Sequence, residues 1–120
     1  MTHIVLSTTT PVLAAGFRAV TQLAQDFSLS DCSAIEKLAE HLQAEHAQLA
    51  VIDLAGGITL DAIGLLRATS PAAAIILWVD TVSPEFISQA LGLGVRGVLP
   101  KHAGVDSHLQ CLRDVAAGIL

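Results

Sequence analysis

The chain has 120 residues, 52% of them apolar, and a formal net charge of -5. That length suits one compact domain with a real core, and the acidic balance excludes a segment that grips nucleic acid by itself. The longest apolar stretch, residues 72–79, is too short to span a bilayer. The start, Met1-Thr2-His3-Ile4-Val5, lacks the basic segment and apolar run of a signal peptide, so a cytoplasmic location without a membrane partner is expected. Cys32 and Cys111 form no Cys-x-x-Cys pair, which argues against a disulfide framework or zinc site. His41 and His46 face different ways on a helix, so a shared metal is not expected.

In chain order, residues 3–7 form a short apolar strand. Ser7-Thr8-Thr9-Thr10-Pro11 reads as a helix start, with a hydroxyl N-cap and Pro at the first helical position. The helix runs to about residue 25, with Val12, Ala15, Val20, Leu23 and Ala24 as its apolar side. Residues 27–31 alternate like a strand near a sheet edge, and residues 33–45 are amphipathic, with Ile35, Leu38, Ala39 and Leu42 at helical spacing. Residues 48–54 form a central strand, broken by Gly56 and Gly57. A short helix over residues 60–68 carries Ile63, Leu65 and Leu66, and an apolar strand follows over residues 74–79. Ser83-Pro84-Glu85 starts another helix, to about Leu91; Gly92 and Gly94 end it. Residues 95–99 form the fifth strand, and residues 105–117 the last helix, with Val105, Leu109, Leu112 and Val115 inward.

Alternating strands and helices with short connections predict an α/β fold, a doubly wound five-stranded parallel sheet with helices on both faces. The flavodoxin-like order 2-1-3-4-5 suits five strands and sets the ends of strands one and three side by side. Ligands in such sheets sit beyond the carboxyl ends of the strands. There the Thr8-Thr9 loop would meet Asp53, and Lys101 would come close from strand five. The plain alternatives are that Asp53 is a solvated strand-end residue, or that Asp53 and Lys101 only tether two strand ends.

Several stretches resemble one family. Ala90-Leu91-Gly92-Leu93-Gly94-Val95-Arg96-Gly97-Val98-Leu99-Pro100-Lys101 is similar to the A-L-x-x-G-A-x-G-Y-L-x-K segment of response-regulator receiver domains, most closely those with a LuxR-type helix-turn-helix. Val51-Ile52-Asp53-Leu54 is similar to the strand bearing the phospho-accepting Asp. Thr10-Pro11-Val12-Leu13 with Gly16-Phe17-Arg18 is like the family's H-P-L-x-x-x-G-L-R, and Leu112-Arg113-Asp114-Val115 matches its last helix.

The resemblance implies that Asp53 is the phospho-acceptor, that Lys101 contacts the phosphoryl group, and that the Ala55 carbonyl faces Mg²⁺. The departures are as informative. Thr8 and Thr9 stand where the family has an acidic pair, Val79 where it has a Thr or Ser, and Val98 at its aromatic switch position. Mg²⁺ is a hard cation that carboxylates and carbonyls hold, and phosphoryl transfer depends on positioning and charge stabilisation. One carboxylate cannot supply that, and Val79 has no hydroxyl for a phosphoryl oxygen. Asp80 is expected to point away from the site if the strand continues.

The expectation is therefore a receiver-like regulatory domain with a degenerate site, not an enzyme, acting independently of phosphorylation and needing no cofactor. It would be the N-terminal part of a longer regulator, touching DNA only through a C-terminal module and pairing as a homodimer. Phe86, Ile87, Ala90, Leu91, Val98 and Leu109 supply candidate residues for the dimer face. The resting pocket is expected to hold an Asp53–Lys101 ion pair with a hydroxyl of Thr8 or Thr9 toward Asp53. A working phospho-acceptor with Mg²⁺ and a sensor histidine kinase as partner is one alternative. A flavodoxin-like ligand domain is the other: the hydroxyl-rich loop before a helix suits an anion, but the T-x-T-G-x-T glycine and any Tyr are lacking, and Trp78 is expected in the core. His102 is expected to be a solvated loop residue.

Overall fold

The computed structural model describes residues 1–55 and 58–118. Gly56 and Gly57, read above as a chain break, and residues 119–120 lie outside the described residues. Five strands, β1 (Thr2–Ser7), β2 (Phe27–Asp31), β3 (Leu49–Asp53), β4 (Ala74–Val79) and β5 (Gly97–Pro100), alternate with α1 (Pro11–Gln22), α2 (Leu38–Ala44), α3 (Leu60–Thr69), α4 (Pro84–Gly92) and α5 (Val105–Ala116). All pairings are parallel, in the order β2-β1-β3-β4-β5. The flavodoxin-like order read from the sequence is the one found.

Strand alternation divides the core into two layers. Ile4, Leu6, Leu49, Val51, Ile76 and Trp78 face α1 and α5, where Phe17, Leu112 and Val115 meet them. Val5, Ala50, Ile52, Ile75 and Leu77 face the other way, against Leu38 and Leu42 of α2, Ile63 of α3 and Ala90 of α4. Both sheet faces are covered, so the central strands read as unbroken apolar runs.

The phase of α1 agrees with the sequence expectation at Val20 and Ala24, which meet the core, and differs elsewhere. Val12 and Leu23 are exposed, at 79% and 70%, whereas Phe17 and Thr21 are buried and Leu13 packs against the core. The aromatic ring at Phe17 decides the phase because it seats edge-on against Trp78, with centroids 5.2 Å apart. Val105, also read as inward, is exposed, and so is Leu65 on α3, whereas Ile63 and Leu66 are buried.

Several ends shift for local reasons. The expected start of α2 at Ser33 is instead a 3-10 turn over Ile35–Lys37, with no side-chain cap. α1 closes at Gln22 because Leu23 and Ala24 donate to carbonyls three residues back, Val20 and Thr21, the tightened last turn common at helix ends. Val95, read as strand, donates to Ala90 O and closes α4 instead. Ser83 caps α4 as expected, its Oγ accepting from Phe86 N at 3.1 Å, with Pro84 next.

Candidate functional site

Register builds the site. Ser7 is opposite Ile52, so the next residue, Thr8, comes beside Asp53. Val79 is opposite Pro100, and Lys101 N donates to Val79 O at 2.8 Å, which sets Lys101 and Asp80 together just beyond the rim. Asp53 is 2% exposed and is a charged group within the core. A buried charge must be paired and hydrogen-bonded to persist, and this one is.

Lys101 Nζ lies 2.6 Å from Asp53 Oδ1. Ala55 N donates to the same oxygen at 2.9 Å, and Thr8 Oγ1 donates to Oδ2 at 2.7 Å. The contact expected of Thr8 or Thr9 is thus made by Thr8. Thr8 Oγ1 also accepts from Thr10 N at 3.2 Å. Thr10 occupies the N-cap of α1 before Pro11, but its side chain makes no cap bond. Burial works against the Asp53 charge, but the Lys101 ammonium, the Ala55 N–H and the Thr8 hydroxyl outweigh it and hold the carboxyl below its ordinary 3.8.

Asp80 corrects an expectation. Its carboxylate does not turn away from the site: Oδ2 is 3.4 Å from Lys101 Nζ. β4 ends at Val79, so the strand alternation on which that expectation rested stops one residue short. Lys101 is therefore shared between a buried and an exposed carboxylate, with its Nζ 5.9 Å from the Trp78 ring centroid. The signal for Asp80 was available: a charged residue directly after an apolar strand, next in register to Lys101.

The remaining candidates take other places. Thr9 lines a crevice of about 340 Å³ at the ends of β1 and β3, together with Ser7, Thr8, Ser33, Glu36 and Asp53. Val79 is 3% exposed in the core, and Val98 packs partly buried against it. Trp78 is buried as expected; its Nε1 donates to His108 Nε2 at 3.1 Å. His108, 5% exposed and in contact with Gly104 O through Nδ1, was not singled out by sequence. His102 is exposed.

The donor set does not fit Mg²⁺. The ion needs hard oxygen ligands in near-octahedral order, and Asp53 offers the buried site one carboxylate, already engaged at both oxygens, with an ammonium beside it. Among the described residues no group of three or more His, Cys, Asp or Glu side chains is placed to hold a metal ion. What the arrangement does is fix a carboxylate in its charged form and tie the ends of β1, β3 and β5 together.

The charged form carries a pH signature. A carboxyl with a depressed folded pKa contributes stability that is full above its unfolded value, here 3.8, and is lost as pH falls through the folded value. Acid titration of unfolding is thus expected to show an Asp53 limb below pH 3.8, and Asp53→Asn should flatten it. An unchanged acid limb in that variant would contradict the pairing.

The arrangement is that of a receiver-type fold, and comparison with solved structures bears on the fold alone. The signal receiver domain of a protein assigned as the response regulator NarL of Mycobacterium tuberculosis aligns with a TM-score of 0.86 at 18% identity, over 98% of this chain and 97% of that one. A LuxR-family two-component response regulator from Aurantimonas sp. SI85-9A1 aligns with a TM-score of 0.88 at 19% identity, over 99% of this chain and 88% of that one. The RcsB response regulator of Salmonella typhimurium aligns with a TM-score of 0.90 at 17% identity, over 99% of this chain but only 64% of its own length. No protein-family model matches the sequence, and no curated protein matches it. The chain has the fold of LuxR-family receiver domains. Among the described residues, no helix is long and apolar enough to cross a membrane.

Proposed function

We propose that this chain is a receiver-type regulatory domain that signals by protein contact, with Asp53 held in an internal ion pair. The observation that carries this is the occupation of both Asp53 oxygens by Lys101, Ala55 and Thr8. In a phospho-accepting receiver a carboxylate cluster recruits the cation that neutralises the transferred group; here Thr8 and Thr9 replace two of those charges. The Lys101 ammonium is held at rest by the buried Asp53 carboxylate, with the exposed Asp80 carboxylate beside it, and this pairing favours one resting state.

In this reading the domain lies in the cytoplasm as the N-terminal part of a longer regulator, and DNA contact belongs to a further module. The domain itself pairs as a homodimer. Of the residues considered for that face, Ala90 and Leu109 are buried and Phe86 and Val98 pack on the core, which leaves Ile87 and Leu91 exposed, with Val82 and Leu93 nearby in sequence. Contiguous exposed apolar surface marks interaction sites, and a two-fold pair is the common outcome. Sedimentation is expected to show a dimer that forms without a phosphodonor and does not change with acetyl phosphate. A monomer that pairs only when acetyl phosphate is added would favour the second reading, a phospho-acceptor at Asp53 served by a histidine kinase. That reading draws on the strand-end position of Asp53 and its 2.6 Å approach to Lys101.

A further inference from the structure

A groove of about 340 Å³ runs between α2 and α3, on the side of the sheet away from α1 and α5. Small residues leave it open: Ala39 of α2 and Ala62 of α3 line it where longer side chains would close the gap. Ile35, on the 3-10 turn ahead of α2, forms one rim. Leu65 forms the other and is 67% exposed. An exposed leucine beside an apolar groove is surface that gains by being covered. Thr69, at the far end, turns its hydroxyl to Leu65 O and Leu66 O of its own helix at 3.0 and 3.2 Å, so it offers the groove no free proton.

The charge at this groove is acidic. Glu36 is the one charged residue lining it among the described residues; it is exposed and makes no ion pair there. Asp61 is exposed on α3, four residues before Leu65, and therefore on the same side of that helix. The cations of these elements stand elsewhere. Lys37 does not line the groove, and Arg67 lies against Gly94 and donates to Pro71 O at 3.4 Å. Ile35 and Glu36 also line the crevice at Asp53, so the groove meets the site already described.

We propose that this groove is the contact through which the domain signals, and that it seats an amphipathic, basic helix of a partner protein. The inference rests on the reading of the domain as one that signals by protein contact. Apolar side chains of the partner, one helical turn apart, pack over Ala39 and Ala62 against Leu65, and a lysine or arginine beside them meets Glu36 and Asp61. Apolar burial supplies the affinity, because exposed ion pairs add little. The charge selects the partner and sets its orientation. A second copy of this chain does not suit the groove: a two-fold pair sets like patches together, and Glu36 and Asp61 would meet their own kind.

Amide NMR titration of the full chain with a helical leucine–lysine peptide tests this, with a leucine–glutamate peptide of the same pattern alongside. The lysine peptide is expected to shift Glu36, Ala39, Ala62 and Leu65 saturably, and the glutamate peptide is not. Leu65→Ala, at an exposed position that the fold does not depend on, should weaken the lysine peptide about tenfold, the order expected for the apolar area one leucine covers. Glu36→Gln should weaken it about two- to fivefold, and Ala62→Phe should abolish binding by filling the floor. Ile87→Ala and Glu85→Gln, on α4, should leave the affinity unchanged. The groove is overturned by the absence of saturable shifts, by equal binding of the glutamate peptide, or by undiminished affinity in Leu65→Ala. It is equally overturned if Glu85→Gln weakens the peptide as much as Glu36→Gln, since net charge alone would then attract it, or if Leu65→Ala abolishes self-association, since a second copy would then fill the groove. Shifts centred on Ile87 and Leu91 would overturn the groove and leave signalling by contact standing, whereas phosphoryl transfer to Asp53 from acetyl phosphate would remove that reading itself.

Discussion

Replacing Phe17 by Ala is expected to destabilise the fold by about 4 kcal/mol, within the range for removing a buried aromatic ring. Phe17 is 1% exposed and packs edge-on to Trp78 and, at 6.5 Å between centroids, to His108. Its loss opens a cavity beside the Trp78–His108 hydrogen bond, so Trp78 emission should shift with stability. Val12→Ala and Leu23→Ala, on the exposed side of the same helix, should change stability by no more than about 0.5 kcal/mol. Urea unfolding of the three variants tests the helix phase directly. Large losses at Val12 and Leu23 with little at Phe17 would restore the phase read from the sequence and contradict the structure.

Lys101→Met should cost about 3 kcal/mol at neutral pH. Breaking a buried pair by removing one partner leaves an uncompensated charge, at about 3–5 kcal/mol, and the lower end applies because Asp53 keeps its bonds from Thr8 and Ala55. The sign with pH is diagnostic. Without the ammonium, burial dominates and the Asp53 pKa rises, so the deficit should shrink in acid as the carboxyl takes a proton. Adding Asp53→Asn to Lys101→Met should recover much of the loss, because no buried charge is then left unpaired. Chemical denaturation of the four proteins in a double-mutant cycle reads the coupling. Coupling near zero would mean that the contact is a surface tether without energetic weight.

The fold was largely legible because its signals are redundant. The apolar runs at residues 50–52 and 74–79 fit strands buried on both faces, and Ser83-Pro84 marks a helix start from local chemistry alone. The phase of α1 was legible only in part. Of the expected apolar side, Val20 and Ala24 do meet the core, but Val12, Ala15 and Leu23 are exposed, and the pocket beside Trp78 seats Phe17 instead. Likewise Leu65 and Val105 have the right hydrophobicity and lie on the wrong side of their helices.

At the site, the strand order sufficed to foresee the approach of Lys101 to Asp53, because it brings the ends of β3 and β5 to the same rim of the sheet. The backbone N–H of Ala55 was not foreseen: the resemblance drew attention to its carbonyl, whereas the described contact is made by its N–H. Asp80 was misjudged because strand periodicity was carried past the end of β4. His108 gave no sequence signal of its own, being one polar residue on an amphipathic helix; its role depends on Trp78 arriving from β4.

The central claim is that Asp53 is committed to Lys101 and is not a phosphoryl acceptor. Intact-mass measurement of the protein incubated with Mg²⁺ and acetyl phosphate tests it most directly, with Asp53→Ala alongside. The ion pair predicts no stoichiometric mass gain in either protein. A gain of one phosphoryl group in the parent that is lost in Asp53→Ala would contradict it.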